Sequence, residues 1–261
     1  MKPREYTEPR NYAKRSETTH YAELCKIALE MANCHNSIEL IDENNNPYNA
    51  VTVVQSSPLV YDIDGDNYPE IFFGDESGYF HGLDHEGNSL SGFPVQLEGN
   101  NAEIWGSPVA SDIDNDNVTE FIITSKNKHC YIINEYGVIE LDYESEQYLM
   151  ATASIANLDS DATPEMIITI PTDADGSNTV DGAEFRGLEI DDGSEIWSFE
   201  AVNGYADAPP LAIDTDEDGE IDRVCWVSWY QETTARHGHA GCHDVSGNSP
   251  QLDWYNDLEQ S

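Results

Sequence analysis

SSPLVYDIDGDNYPEIFF, residues 56–73, sets three aspartates at alternate positions, Asp62, Asp64 and Asp66, between two short apolar runs. The arrangement returns three times: GSPVASDIDNDNVTEFII at 106–123, ATASIANLDSDATPEMII at 151–168 and APPLAIDTDEDGEIDRVC at 208–225. The first loop positions are Asp62, Asp112, Asn157 and Asp214, so the successive spacings are 50, 45 and 57 residues. In each copy a short strand (59–61, 109–110, 154–156, 211–213) enters the loop and a second (71–73, 121–123, 166–168, 224–227) leaves it. The second run is continuously apolar, which fits a strand buried on both faces between neighbouring sheets. A third strand ends at a glycine turn, at Gly87, Gly137, Gly193 or Gly247, and a more polar fourth follows, as in 93–97 or 251–255. Small residues open each copy (Ser56, Gly106, Ala151 and Ala208), as sheets converging on a central axis require.

A period near 45–50 residues with several short strands per unit has the length of a propeller blade. The fold expected is therefore all-β, a β-propeller of four-stranded antiparallel blades at 55–104, 105–150, 151–207 and 208–261. Upstream, SIELIDENNNPYNAVTVV (37–54) reads as strands three and four of a partial N-terminal blade. Two arrangements fit it: part of a larger propeller, or a ring closed by strand sharing between the chain ends. Residues 1–36 are expected to form a disordered lead followed by a short helix over 21–32, with Thr19 as its N-cap.

The repeated loop reads D-x-D-x-D-x-x-x-E/D. Alternate residues of a tight loop point inward, so its carboxylates converge. Two of them ~4 Å apart repel by ~4 kcal/mol at an effective dielectric of 20, and the loop opens unless a cation sits among them. Calcium accepts six to eight oxygens in flexible geometry, whereas magnesium demands a stricter octahedron. Three or four calcium ions are therefore expected. The candidate ligands are Asp62, Asp64, Asp66, Glu70 and the carbonyl of Tyr68; Asp112, Asp114, Asp116, Glu120 and the carbonyl of Val118; Asn157, Asp159, Asp161, Glu165 and the carbonyl of Thr163; and Asp214, Asp216, Asp218, Asp222 and the carbonyl of Glu220. An EF-hand is excluded, because its bidentate acid falls at position twelve between helices. Here position twelve is Phe73, Ile123, Ile168 or Cys225, and strands flank the loop.

Over about residues 55–255 the chain resembles the FG-GAP and VCBS-type repeats of bacterial and archaeal surface proteins and of the integrin α-chain propeller. The resemblance implies blades with calcium held between their first two strands, serving adhesion or interaction. The chain departs from that pattern at Asn157, which removes one charge from the third loop, and in the longer Glu at position nine of three loops. The FG-GAP consensus survives only as Phe73-Gly74 and Gly92-Phe93-Pro94.

There are 51 acidic residues against 11 basic ones, a formal net charge of −40. Nucleic acid and anionic membrane surfaces need a cationic footprint and are excluded as partners. Four divalent ions would return eight charges and leave about −32. Concentrated salt, which shrinks the Debye length to ~3 Å at 1 M, makes such self-repulsion tolerable. A halophilic source and a plain acidic extracellular adhesin are the two readings of this charge. Five cysteines without regular spacing give no disulfide framework, although Cys225 and Cys242 can lie on neighbouring strands. No secretory signal is legible in 1–12, and no apolar run is long enough to span a bilayer. The expected context is a longer exported protein at the cell surface.

His237, His239, Cys242 and His243 have the chemistry of a zinc or copper site, but strand alternation would divide them between two faces. Trp105, Trp197, Trp226, Trp229 and Tyr230 read as core or inter-blade packing, with sugar binding as the alternative. No nucleophile elbow, phosphate loop, dinucleotide fingerprint or zinc-protease motif occurs. The function expected is a non-enzymatic adhesion or interaction module with a protein or glycan ligand. The alternative is a propeller enzyme such as a polysaccharide lyase or hydrolase, or a quinoprotein-like dehydrogenase. If the charge reflects a halophile, dialysis into low salt without calcium unfolds the protein, as followed by circular dichroism; full stability there contradicts the halophile reading.

Overall fold

In the computed structural model, the described residues are 40–41, 47–48, 53–159, 161, 163–173, 181–201, 204–232, 235–247 and 249–258. The expected lead and the helix at 21–32 lie outside them. Four antiparallel sheets of four strands follow one another along the chain. The first holds β3 (Leu59–Tyr61), β4 (Glu70–Gly74), β5 (Tyr79–Leu83) and β6 (Val95–Gln96). The second holds β7 (Val109–Ser111), β8 (Glu120–Thr124), β9 (His129–Asn134) and β10 (Ile139–Glu144). The third holds β11 (Ser154–Ala156), β12 (Glu165–Thr172), β13 (Gly182–Leu188) and β14 (Glu195–Glu200). The fourth holds β15 (Leu211–Ile213), β16 (Arg223–Glu232), β17 (Ala235–Asp244) and β18 (Gln251–Asp257). Upstream, β1 (Leu40–Ile41) pairs with β2 (Pro47–Tyr48) within the expected partial blade. Among the described residues there is no helix, and none long and apolar enough to cross a membrane.

The continuously apolar second strands of the first three blades are buried almost along their length because alternate residues serve different neighbours. In β16, by contrast, Val227 is half-exposed, so the expected burial on both faces does not hold for the run at 224–227. Phe121 and Ile123 of β8 pack with Phe72 and Phe80 of the first sheet, while Ile122 packs with Met166 and Ile168 of the third. Likewise Met166 and Ile168 of β12 face the second sheet and Ile167 faces the fourth, with Val224 and Trp226. The three hydrophobic clusters are thus the three contacts between successive blades. The first is aromatic: the Phe121 ring lies 4.3 Å from Phe72, 5.4 Å from Phe80 and 6.4 Å from Phe93, centroid to centroid, largely in tilted or edge-on geometry.

At the inner strands, the position after each small opening residue carries a hydroxyl that links copies. Ser57 N–H donates to Ser107 Oγ (3.0 Å) and Ser107 N–H to Thr152 Oγ1 (2.8 Å). The fourth copy has Pro209 there, and Ser154 Oγ donates instead to the carbonyl of Pro210 (2.6 Å). Gly106 has no room for a side chain: a Cβ on it would stand 2.2 Å from Thr124 Oγ1 and 3.1 Å from the Ala151 carbonyl oxygen. The fourth strand of the first blade is shorter than the expected 93–97, spanning only Val95–Gln96. Before it, Gly92 lies so close to the second blade's turn that a Cβ would meet the Tyr136 carbonyl oxygen at 2.0 Å.

Cys225 and Cys242 are directly opposed on β16 and β17 and form a disulfide. The bond occupies the Cys242 thiol, and Cys242 faces away from His243, which stacks on Phe199 and accepts a hydrogen bond from Trp226 Nε1. The disulfide removes Cys242 from the expected His/Cys site, and among the described residues His237, His239 and His243 do not form a metal-binding group. Trp197 and Trp226 lie in the core as expected, while Trp105 is half-buried beneath Lys126 Nζ. Replacing Phe121 by Ala should cost about 3–5 kcal/mol, whereas Val60→Ala, at an exposed position, should stay within ~0.5 kcal/mol. Urea unfolding of the two variants checks the inter-blade role of this ring.

Candidate metal centre

The loops between first and second strands share one backbone course. Positions four and six adopt left-handed φ: Gly65 (73°) and Asn67 (70°), Asn115 (61°) and Asn117 (69°), Glu217 (63°) and Gly219 (101°). Glycine and asparagine tolerate this region, while the Glu217 conformation costs about 1–2 kcal/mol. In the third loop the corresponding Ser160 and Ala162 lie outside the described residues.

This course turns successive N–H groups toward the acids. Position one accepts from position six: Asn67 N–H to Asp62 (3.0 Å), Asn117 to Asp112 (3.1 Å) and Gly219 to Asp214 (3.0 Å). Position three accepts from position five: Asp66 N–H to Asp64 (3.1 Å), Asp116 to Asp114 (3.1 Å) and Asp161 to Asp159 (2.8 Å). Position five accepts from position seven: Tyr68 N–H to Asp66 (2.7 Å), Val118 to Asp116 (2.7 Å), Thr163 to Asp161 (2.8 Å) and Glu220 to Asp218 (3.0 Å). The position-seven residues were expected to offer carbonyls; their N–H groups are what the structure ties to the loop.

Position nine has a role not read from the sequence. One oxygen of each acid accepts the N–H of position two: Ile63 to Glu70 (3.0 Å), Ile113 to Glu120 (2.9 Å), Leu158 to Glu165 (2.5 Å) and Thr215 to Asp222 (2.7 Å). The acid thereby fastens the start of the second strand to the start of the loop. In two loops, at Glu120 and Glu165, the same acid also joins the cluster.

Four groups of acids are brought together, each with ligand oxygens within 4.8 Å of one another: Asp62, Asp64 and Asp66; Asp112, Asp114 and Glu120; Asp159, Asp161 and Glu165; Asp214, Asp216 and Asp218. Glu70, Asp116 and Asp222 are not in these groups. Buried oxygens that accept no hydrogen bond among the described residues test whether a cation fits. Asp112 Oδ1, Asn157 Oδ1 and Glu165 Oε1 are three such atoms, and Glu165 is wholly buried. An unmatched carboxylate oxygen in that setting is costly in water's absence, and a hard cation would match it. Burial pushes Glu70, Glu120 and Glu165 up to about 7; the N–H at position two opposes this, and the neighbouring loop aspartates add to it.

Lys126, Lys128, Arg186 and Arg223 are each engaged. Lys126 pairs with Glu103 (2.6 Å), Arg186 reaches Glu184, Glu195 and Glu146, and Arg223 pairs with Asp253 (2.7 Å) beside the fourth loop. Lys128 donates to the Glu146 carbonyl (2.9 Å). Asp84 holds its own turn, accepting from the N–H groups of Glu86 and Asn88, and His85 stacks on Tyr68 of the first loop.

No protein-family model and no curated protein matches the chain. Among solved structures, β-propeller proteins are similar in fold. A structure of BBS1N in complex with ARL6DN, soaked with mercury, matches at TM-score 0.51 and 11% identity over 83% of this chain and 59% of that one. A lead-soaked structure of the same complex matches at TM-score 0.47 and 10% identity, over 84% and 56%. BamB from Moraxella catarrhalis matches at TM-score 0.45 and 17% identity, over 77% and 50%. The chain thus spans between half and three-fifths of the length of these structures, and the likeness is one of fold.

The three raised glutamates give the metal-free protein a defined pH response. Their folded values lie above the unfolded 4.5, so their contribution to stability is complete below that pH and is lost as pH rises through about 7. Thermal melts in chelator should show stability falling across this window. A divalent cation such as calcium, if it binds the ionised form, should stabilise increasingly over the same window and release protons when added near pH 6.5.

Proposed function

We propose that this chain is a non-catalytic, calcium-stabilised β-propeller segment of the FG-GAP/VCBS kind that presents its surface to a protein or glycan partner outside the cell. The observation that carries the reading is the in-phase recurrence of four acid clusters, with Glu165 wholly buried and one of its oxygens unmatched. Calcium is favoured over magnesium because each loop offers several oxygens on a turn that can adjust its geometry. The ions act structurally: each would hold the first two strands of a blade together at the loop.

An extracellular setting is supported by the Cys225–Cys242 disulfide, since such bonds persist in oxidising compartments. Concentrated salt is supported by the net charge of −40. A protein partner is supported by the BBS1N structure, a propeller in complex with ARL6DN. The non-catalytic reading is supported by the engagement of Lys126, Arg186 and Arg223 with acids, which leaves them poorly placed to neutralise an acidic substrate.

Calorimetric titration of the calcium-stripped chain tests the reading. Binding of three or four ions is expected, with dissociation constants of ~0.1–1 mM, the range of extracellular modules, and with a melting temperature that rises with calcium concentration. Absence of binding at millimolar calcium removes the metal claim. Turnover of an acidic polysaccharide removes the non-catalytic one.

A further inference from the structure

Asn157 stands where the other three loops carry aspartate, and its side chain is used differently. Asp62 and Asp214 accept N–H groups from positions four and six of their own loops. Asn157 reaches out of its loop instead: Nδ2 donates to the carbonyl of Gly219 in the fourth loop at 3.1 Å. Its backbone carbonyl accepts the N–H of Ile221, two residues further on, at 2.9 Å. The N–H of Gly219 in turn donates to Oδ2 of Asp214, the first acid of the fourth loop, at 3.0 Å. A short hydrogen-bonded path therefore joins the leading ligand positions of two neighbouring loops.

The amide suits this place for a chemical reason. A carboxylate at 157 would set oxygen against the Gly219 carbonyl oxygen with no proton to share, whereas an amide donates from one end and keeps an acceptor at the other. That acceptor, Asn157 Oδ1, is buried and accepts no hydrogen bond among the described residues. In the same loop, the wholly buried Glu165 has its Oε1 unmatched and a carboxylate oxygen within 4.8 Å of those of Asp159 and Asp161.

We propose that Asn157 couples cation binding in the third and fourth loops, with Oδ1 as a ligand of the third site while Nδ2 and the backbone carbonyl hold residues 219–221 of the fourth. This rests on the calcium reading above. A cation in the third loop fixes the Asn157 amide, which fixes the Gly219 carbonyl and the strand of loop that carries the Gly219 N–H to Asp214. The second ion then meets a loop already ordered, and binds more tightly by the factor by which it would have favoured the first.

A site-resolved calcium titration of the full chain by NMR tests this. The Leu158 amide, bonded to Glu165, reports the third loop; the Thr215 amide, bonded to Asp222, reports the fourth. In the unsubstituted chain the two amides should shift together in one steep transition. D216N/D218N, which disables the fourth site, should weaken the third about tenfold. N157A leaves every carboxylate in place but removes one oxygen of the third site, so the comparison is made within that background: adding D216N/D218N to N157A should no longer weaken the third site further. Hydrogen exchange supplies a readout that does not need both sites: in D216N/D218N, calcium should still slow exchange of the Ile221 amide. Independent transitions in the unsubstituted chain, or coupling that survives N157A, overturn the proposal. A chain in which neither amide responds to calcium overturns the calcium reading itself, and this proposal with it.

Discussion

The mutual repulsion of carboxylates held in one tight turn is the constraint on which the rest of the structure depends. Each loop gathers three acids within reach of a single ion, and the acid at position nine, one of those three in the second and third loops, clamps the backbone. Water alone is a poor remedy where the acid is buried, as at Glu165. The fold answers first with backbone N–H groups. Position one takes N–H groups from within its loop in three copies, position five is tied to position seven, and position nine is tied to position two. The left-handed residues at positions four and six are what aim those groups inward. A divalent ion would supply the remaining compensation on the oxygens left over.

That local solution has consequences for the whole array. The position-nine acid is also the first residue of the second strand in three copies, Glu70 of β4, Glu120 of β8 and Glu165 of β12. The apolar run that follows is therefore launched from a fixed point, and its alternation delivers Phe121 and Ile123 to one neighbour and Ile122 to the other. Burial of such side chains, at roughly 1.5–3 kcal/mol each, is what holds sheet to sheet. The loops thus set the register on which the inter-blade clusters depend, and ions bound there would stiffen the blades without entering the core.

Much of this was legible in the residues themselves. The repeat placed the first strands of the first, third and fourth blades at the observed bounds and set the continuous apolar runs between two sheets. The preference for Gly and Asn at 65, 67, 115, 117 and 219 was a readable sign of left-handed backbone, since few other residues sit there cheaply. Other features depend on three-dimensional neighbours and leave no local mark. The acid at position nine looks like a ligand whether or not it also holds the N–H of position two. Asn157 looks like a weakened aspartate until the Gly219 carbonyl lies beside it. The pairing of Cys225 with Cys242 required the register of β16 against β17, and the shortened fourth strand of the first blade required the second blade's turn against Gly92.

Anomalous diffraction from crystals grown in millimolar calcium tests the central claim most directly. The account predicts a peak at the centre of the Asp159, Asp161 and Glu165 oxygens, with Glu165 Oε1 or Asn157 Oδ1 in its coordination shell, and corresponding peaks in the neighbouring loops. Carboxylates turned outward around ordinary water, with no anomalous signal at any of the four turns, would contradict it.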